Sequence, residues 1–400
     1  GESQFSLAHS LNVAPWWPNG MGEQKLYVVT LELQDADRRL LDSWQGRVGF
    51  KQVRWLACQG APANAEPWIC EINGRTVFLQ GVNWVPVRIT YGSVTPGMVA
   101  QRLRLYADMG LNILRVWGGA VLEKQVFYDL CDELGLMVWQ EFPLSSSGAE
   151  NLPPTDPIVL AELEDIAASY IWRRGGHVSL LLWCGGNELT ARDGHNTPVN
   201  TSYPAIARMA GVAARLAPDT RFLATSPAGP SFGFQPALGG QGLHHDIHGP
   251  WNISGTLENW QRYWDGHDAL FVSEVGAPSC SSVEVLRKYA GDLTLWPPTL
   301  DNPAWGQRSS WWVLWDHLAE AHGFSLEREE LERFVAVSQQ EQAEALAYMA
   351  ASCKRRFPRC GGVILWMGHD CYPCPTNTAI VDFEGQPKPA VEALKKVFRS

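Results

Sequence analysis

From about residue 77 onward the chain repeats one pattern: a short apolar run, a turn, then a stretch with apolar residues at helical spacing. The runs at 77–81, 113–116, 137–140, 178–183, 221–225, 243–247, 269–273 and 362–366 predict eight strands. The helices between several of them are punctuated. Thr95 precedes Pro96, Val99, Leu103 and Tyr106 form one face, and Gly110 marks the stop. Asp156-Pro157 repeats that start, Val159, Leu163, Ile166 and Tyr170 follow, and Gly175-Gly176 closes the segment. Eight strands alternating with helices predict an α/β fold, a (β/α)8 TIM barrel whose active site lies at the carboxyl ends of the strands. A Gly/Pro-rich loop replaces a full helix between strands five and six. Between strands seven and eight lies an insertion near 281–360, with helical stretches around 311–322 and 326–356.

The pattern before the barrel differs. Residues 25–33 alternate, a polar turn follows at 35–37, and another extended stretch runs over 46–55. Two or three strands are too few for an independent sheet. Residues 1–58 are therefore expected to be the later part of a β-sandwich and 59–400 the barrel, with the sandwich's earlier strands outside the chain.

Composition narrows the classes. The 400 residues are 46% hydrophobic and include 19 Trp, 10 Tyr and 14 Phe, enough for a large core and for rings that stack on sugars. A formal charge of −10 argues against nucleic acid or an anionic membrane as partner. No apolar stretch approaches the roughly 18 residues of a membrane span. Nine cysteines, an odd number without dense spacing, are expected to be reduced, which leans towards a cytoplasmic setting. Cys371 and Cys374 form a lone CxxC, with only Cys353 and Cys360 near in sequence as further ligands, so no metal or other cofactor is expected. No signal peptide is visible, but the chain need not begin at its natural start.

Two glutamates carry the chemistry. Glu188 ends the fourth apolar run and Glu274 the seventh. Burying an unpaired carboxylate is costly, so packing explains neither well. Two carboxyl groups at strand ends of one barrel can converge on a sugar ring: retention needs them about 5–5.5 Å apart, inversion about 6.5–9.5 Å. The structural alternative is a pair of carboxylates bound to barrel arginines.

Trp16-Trp17-Pro18-Asn19-Gly20, Gly46-Arg47-Val48-Gly49-Phe50, Gly81-Val82-Asn83-Trp84-Val85-Pro86, Leu114-Arg115-Val116-Trp117-Gly118-Gly119 and Trp183-Cys184-Gly185-Gly186-Asn187-Glu188 resemble family 2 glycoside hydrolases, the β-mannosidase branch above all. The resemblance covers nearly the whole chain and makes the leading β-segment part of an immunoglobulin-like β-sandwich. It implies a retaining exo-β-glycosidase with a carbohydrate substrate, Glu188 as acid/base and Glu274 as nucleophile. It further implies that Asn187 bonds the hydroxyl beside the anomeric centre and that Arg115 holds the nucleophile ionised. Trp84, Trp117, Trp251 and Trp366 become candidate walls of the sugar site, and Glu141, His245, His248 and Asp370 candidate polar contacts. Arg88, Ser273-Glu274-Val275-Gly276 and Met367-Gly368-His369-Asp370 depart from the commonest β-mannosidase pattern and leave the sugar open. Exo-β-glucosaminidase, β-galactosidase, endo-β-mannosidase and a non-catalytic carbohydrate-binding barrel stand as alternatives. Two further patterns are read as structural. His244, His245 and His248 are taken as hydrogen-bonding rather than metal-binding, because adjacent strand residues face opposite ways. Gly229-Pro230-Ser231-Phe232-Gly233 matches GxSxG but runs into no helix, so it is read as a loop.

Overall fold

The computed structural model describes residues 10–145 and 151–400. It begins with an antiparallel hairpin of β1 (Tyr27–Gln34) and β2 (Leu40–Val48). Asp35 turns the chain between them, its carboxylate accepting the N–H groups of Asp37 and Arg39. Val28, Leu31, Leu33, Leu40, Leu41 and Trp44 of this hairpin are exposed.

Three short strands follow, β3 (Val53–Leu56), β4 (Ile69–Ile72) and β5 (Arg75–Val77), paired in that order as an antiparallel sheet. The sheet caps the amino-terminal mouth of the barrel. Trp68, just before β4, is fully buried, with its ring 4.8 Å from that of Phe271 and 6.2 Å from that of Trp139. Burial of such rings contributes about 25 cal/mol per Å² of apolar surface, several kcal/mol for a tryptophan. A boundary at residue 58 falls inside this cap, because β3 pairs with β4 rather than with the hairpin.

All eight expected barrel strands are present. They are β6 (Leu79–Trp84), β7 (Ile113–Val116), β8 (Met137–Glu141), β9 (Leu180–Cys184) and β10 (Arg221–Leu223), then, after a two-residue β11 (Gly229–Pro230), β12 (His244–His248), β13 (Phe271–Val275) and, beyond a two-residue β14 (Ser279–Cys280), β15 (Gly362–Leu365). The first begins two residues later than expected, because the apolar run from Val77 spans the end of β5 and the start of β6. Parallel ladders join β10, β9, β8, β7, β6, β15, β13 and β12 in that order. Among the described residues no ladder joins β10 to β12. The chain after β10 crosses that seam and pairs through β11, antiparallel, with β12. There the Ala228 N–H donates 2.8 Å to the Asp246 carboxylate, a side-chain bond where a closed barrel would place a backbone one.

Alternation along the strands separates two cores. Ile113, Trp139, Leu182, Phe271 and Ile364 pack with the Trp68 cap inside the barrel. Leu114, Val116, Val138, Trp183, Val272 and Leu365 pack outward against the helices. Those helices are α1 (Pro96–Asp108), α2 (Gln125–Leu134), α3 (Pro157–Arg174), α4 (Pro204–Leu216) and α5 (Leu257–Asp265). Thr95 caps α1 through the Met98 N–H, and Asp156 caps α3 through Ile158 and Val159, as the sequence predicts; each such cap contributes about 1 kcal/mol.

The insertion holds α6 (Val283–Tyr289), α7 (Pro303–Ser309), α8 (Trp315–His322) and the 25-residue α9 (Leu331–Arg355). Trp305, Leu318, Phe324 and Phe334 give it a small core of its own. Yet α9 packs on α5 and on the final α10 (Pro389–Phe398), so the insertion ends in a barrel helix. A short β16 (Thr376–Asn377) pairs with β14 above the last two strands. Among the described residues no helix is long and apolar enough to cross a membrane.

Candidate active site

At the carboxyl ends of the strands, β7 delivers Arg115 to the barrel axis, fully buried. Its guanidinium makes four hydrogen bonds and a further ion-pair contact. Nε and Nη2 each lie 2.9 Å from Glu141 Oε1. Nη1 lies 2.6 Å from Asn83 Oδ1 and 2.9 Å from Glu274 Oε2, and Nη2 lies 2.5 Å from Asn187 Oδ1. Burial alone would lower the guanidinium's pKa, but Glu141 and Glu274 outweigh it and hold Arg115 above its ordinary value. A rigid, permanently charged fork is what a buried site with this many acceptors requires.

Glycines let the chain come this close. A Cβ on Gly118 would stand 2.5 Å from the Leu144 carbonyl, so only glycine allows the Gly118 N–H to reach Glu141 Oε2 at 2.7 Å. After β9, Gly186 has φ +157° and passes the same Leu144 carbonyl, where a Cβ would lie at 2.5 Å. Two residues later Glu188 has φ +51°, the left-handed region that costs a non-glycine residue of order 1 kcal/mol or more. Its N–H is tied 2.6 Å to the Ser226 carbonyl, which fixes the side chain's direction.

Glu188, His248 and Glu274 meet here, each with one ligand atom within 4.8 Å of the others'. Among the described residues they are the only cluster able to hold a metal ion, and neither the CxxC nor the His244-His245 pair forms one. The two carboxyl groups thus stand near the spacing of a retaining pair, well short of an inverting one. Their surroundings differ. Glu274 accepts N–H bonds from Arg115 and, on Oε1 at 2.8 Å, from Trp251 Nε1. Burial first, then the charge of Glu188, push its carboxyl up to about 8, against the pull of Arg115 and Trp251. Glu188 instead faces the imidazole of His248, with Nδ1 2.9 Å from Oε1. Burial lowers the His248 pKa to about 4, so that ring is neutral near pH 7. The two N–H donors on Glu274 favour its ionised form.

The other expected residues are divided. Asn187 is buried; its Oδ1 is on Arg115 and its Nδ2 lies 3.2 Å from Ser145 Oγ. Trp117 and Trp366 are half-buried and meet edge to face at 5.3 Å, and Trp251, also half-buried, lies against His248 and Glu274. Trp84 does not reach the pocket. It is fully buried on the helix side, packed on Phe127 and Tyr106, with Nε1 3.0 Å from Glu123. Because Asn83 points to the axis, its neighbour must point away. Glu141 is also walled in, both oxygens bound by Arg115 and Gly118, so it supports the arginine rather than meeting a sugar. His245 sits near the start of β12, towards the opposite end of the barrel, lining a cavity of about 390 Å³ with Gln59, Pro62 and Asp268. Asp370 is fully buried against Asn377 Nδ2 at 3.0 Å. Arg88 lies over the Phe383 ring at 4.4 Å, and Ser231 of the GxSxG match bonds the Gly233 carbonyl.

Asn83, Ser226, Ser273 and Asp246, all buried around the pair, are not among the residues the sequence singles out. For Asn83 and Asp246 a signal existed: each is a polar residue inside an otherwise buried strand.

Known proteins place this geometry. The family model for glycosyl hydrolases family 2, TIM barrel domain, matches residues 68–203, and that for glycosyl hydrolases family 2 matches 2–51. The chain is 30% identical over 417 residues to beta-mannosidase B of Thermothelomyces thermophilus, covering 96% of this chain and 46% of that protein. With beta-mannosidase B of Emericella nidulans identity is 28% over 411 residues, with the same coverage. Among solved structures, beta-D-mannosidase from Dictyoglomus thermophilum superposes with a TM-score of 0.80 at 25% identity, over 96% of this chain and 46% of that one. An exo-chitosanase from Amycolatopsis orientalis shares the fold at a TM-score of 0.71 and 17% identity, over 96% of this chain and 44% of that one. The chain spans about half the length of the curated relatives it matches. With the family's barrel domain and a β-mannosidase-like sequence over nearly all its length, the chain belongs to glycosyl hydrolase family 2.

Proposed function

We propose that the chain is the catalytic part of a retaining exo-β-glycosidase acting on β-mannosides. The observation that carries this is the pair of glutamates on the fourth and seventh strands, one held by cationic and indole N–H donors and the other facing a neutral imidazole. Glu188 protonates the departing oxygen as Glu274 attacks the anomeric carbon, and the carbon–oxygen bond breaks. Glu188, now a carboxylate, takes a proton from water, which displaces Glu274 and releases the sugar with its configuration retained. Trp117, Trp251 and Trp366 offer ring faces to the sugar, and Asn187 Nδ2 a donor to the hydroxyl beside the anomeric carbon. The mannoside preference rests on likeness to β-mannosidases. An amino sugar would call for a carboxylate facing the pocket, and both candidate acids, Glu141 and Asp370, are enclosed in its wall.

The test is a panel of aryl β-glycosides (mannoside, glucosaminide, galactoside, glucoside and glucuronide) with Glu274→Ala in parallel. Hydrolysis of the mannoside that vanishes in the variant is expected. Cleavage of another member instead would reassign the sugar, and full activity in folded Glu274→Ala would overturn the mechanism. Sugar binding with no cleavage would make the barrel a binding module.

A further inference from the structure

A string of hydrogen bonds runs from Glu188 away from the sugar pocket to the seam of the barrel. His248 Nδ1 is 2.9 Å from Glu188 Oε1, and His248 Nε2 is 2.9 Å from Ser226 Oγ. Ser226 Oγ donates 2.9 Å to Ser273 Oγ. The string ends at Asp246, fully buried, whose Oδ1 accepts the Ser273 N–H at 3.1 Å and whose Oδ2 accepts the Ala228 N–H. The Ser273 side chain also favours the ionised form of this carboxylate.

The direction of every bond follows from its far end. An ionised Asp246 can only accept, so the Ser273 hydroxyl donates to it and turns a lone pair to Ser226. Ser226 donates into that lone pair and presents its own oxygen to His248. Nε2 must then carry the imidazole proton, and in a neutral ring Nδ1 is a bare lone pair. Facing it at hydrogen-bond distance, Glu188 can complete the string only as a carboxylic acid.

The geometry points to Asp246, Ser273, Ser226 and His248 as positioning residues that fix the Nε2–H tautomer of His248 and so keep Glu188 protonated before the first step. This inference rests on the reading of Glu188 as the acid. The same lone pair serves the second step. Once Glu188 has given its proton to the departing oxygen, its carboxylate faces bare Nδ1, and that repulsion makes it a stronger base towards the incoming water. The charged groups facing His248 are Glu188 beyond β9, Glu274 on β13 with Oε2 3.7 Å from Nδ1, and Arg115 on β7. Arg115 also faces Asp246. A positive neighbour helps keep the imidazole neutral and the aspartate ionised, the two conditions the string needs. Burial acts against the second, drawing Asp246 up to about 6, so the direction is set above that pH.

Two readouts test this, one independent of catalysis. Nitrogen-15 NMR of histidine-labelled protein at pH 7.5, with His248 assigned by difference against His248→Asn, should show the Nε2–H tautomer, lost in Ser226→Ala and in Asp246→Asn. In parallel, pH–rate profiles are taken on aryl β-mannosides with poor and with activated leaving groups. In Ser226→Ala the basic limb for the poor leaving group should fall by about one pH unit with about a tenfold loss of kcat, while the activated substrate loses less than about threefold. An Nδ1–H tautomer in the unaltered protein, bridging the two carboxylates, would overturn the inference. So would unchanged limbs in folded Ser226→Ala. If no glycoside is cleaved, the tautomer still decides the string while the proposed function fails; Ser226→Ala serves should Asp246→Asn not fold.

Discussion

Arg115 Nη1 stands 2.9 Å from Glu274 Oε2, inside a barrel where neither side chain is more than marginally exposed. This one contact orders the two glutamates. It gives Glu274 a fixed positive partner, while Glu188 faces the neutral imidazole of His248.

Removing the acid should separate substrates by leaving group. Glu188→Ala is expected to cut kcat/KM for an alkyl or unactivated aryl β-mannoside by about 10³-fold, while 2,4-dinitrophenyl β-mannoside keeps a near-normal first step and accumulates glycosyl-enzyme. Burst kinetics would show this. Equal losses on both substrates would remove Glu188 from the acid role.

The Trp251 indole N–H is a second, independent support for the nucleophile's charge. Trp251→Phe keeps a ring and deletes that donor. A charge-assisted bond of about 1.5–3 kcal/mol predicts a loss of roughly ten- to a hundredfold in kcat/KM. Because the donor favours the ionised form, the acidic limb of the profile should move up in pH. An unchanged limb would mean that Trp251 serves only as a wall.

His369 gives a pH signature unrelated to catalysis. It is fully buried between Tyr106 Oη at 2.8 Å and the Val85 carbonyl at 3.0 Å, and burial lowers its pKa to about 3. The folded ring stays neutral while the unfolded one protonates below about 6.5, so its contribution is complete above 6.5 and is lost as pH falls towards 3. Asp246 and Asp370, both drawn up to about 6 by burial, act in the opposite sense over part of that range, so the comparison must be between variants. His369→Gln should be destabilised at pH 7. That deficit should shrink by of order 2 kcal/mol at pH 4.5, as read by urea unfolding. A deficit independent of pH would place a charge on the folded ring.

Much of this architecture is written in local pattern. Buried strands announce themselves as apolar runs, and Thr95-Pro96 and Asp156-Pro157 each spell a helix start that the caps reproduce. What pattern does not carry is direction across a strand. The motif offers Trp84 as a sugar wall, yet Asn83 beside it takes the axial position, and strand alternation sends the indole outward. Depth along a strand is equally silent: His245 and His248 lie three residues apart on β12, one lining the cavity towards the cap and the other at the glutamates. Ser226 and Ser273 carried no signal, since small hydroxyl residues become informative only when distant segments bring them within 2.9 Å. The cap sheet leaves no pattern of its own, because β4 and β5 are short and an apolar residue continues the run from β5 into β6.

The seam between β10 and β12 has a further consequence. Elsewhere around the barrel, backbone amides lace neighbouring strands; here Ala228 leans on the Asp246 side chain, and the serines span what amides do not. Closure of the scaffold and the resting protonation of Glu188 therefore depend on the same few atoms. Any transient opening of this edge, of the kind amide exchange records, would also erase the instruction that tells the acid to hold its proton. Heat and denaturant should then blunt the chemistry before they unfold the molecule, and a substitution that tightens the seam acts on both at once.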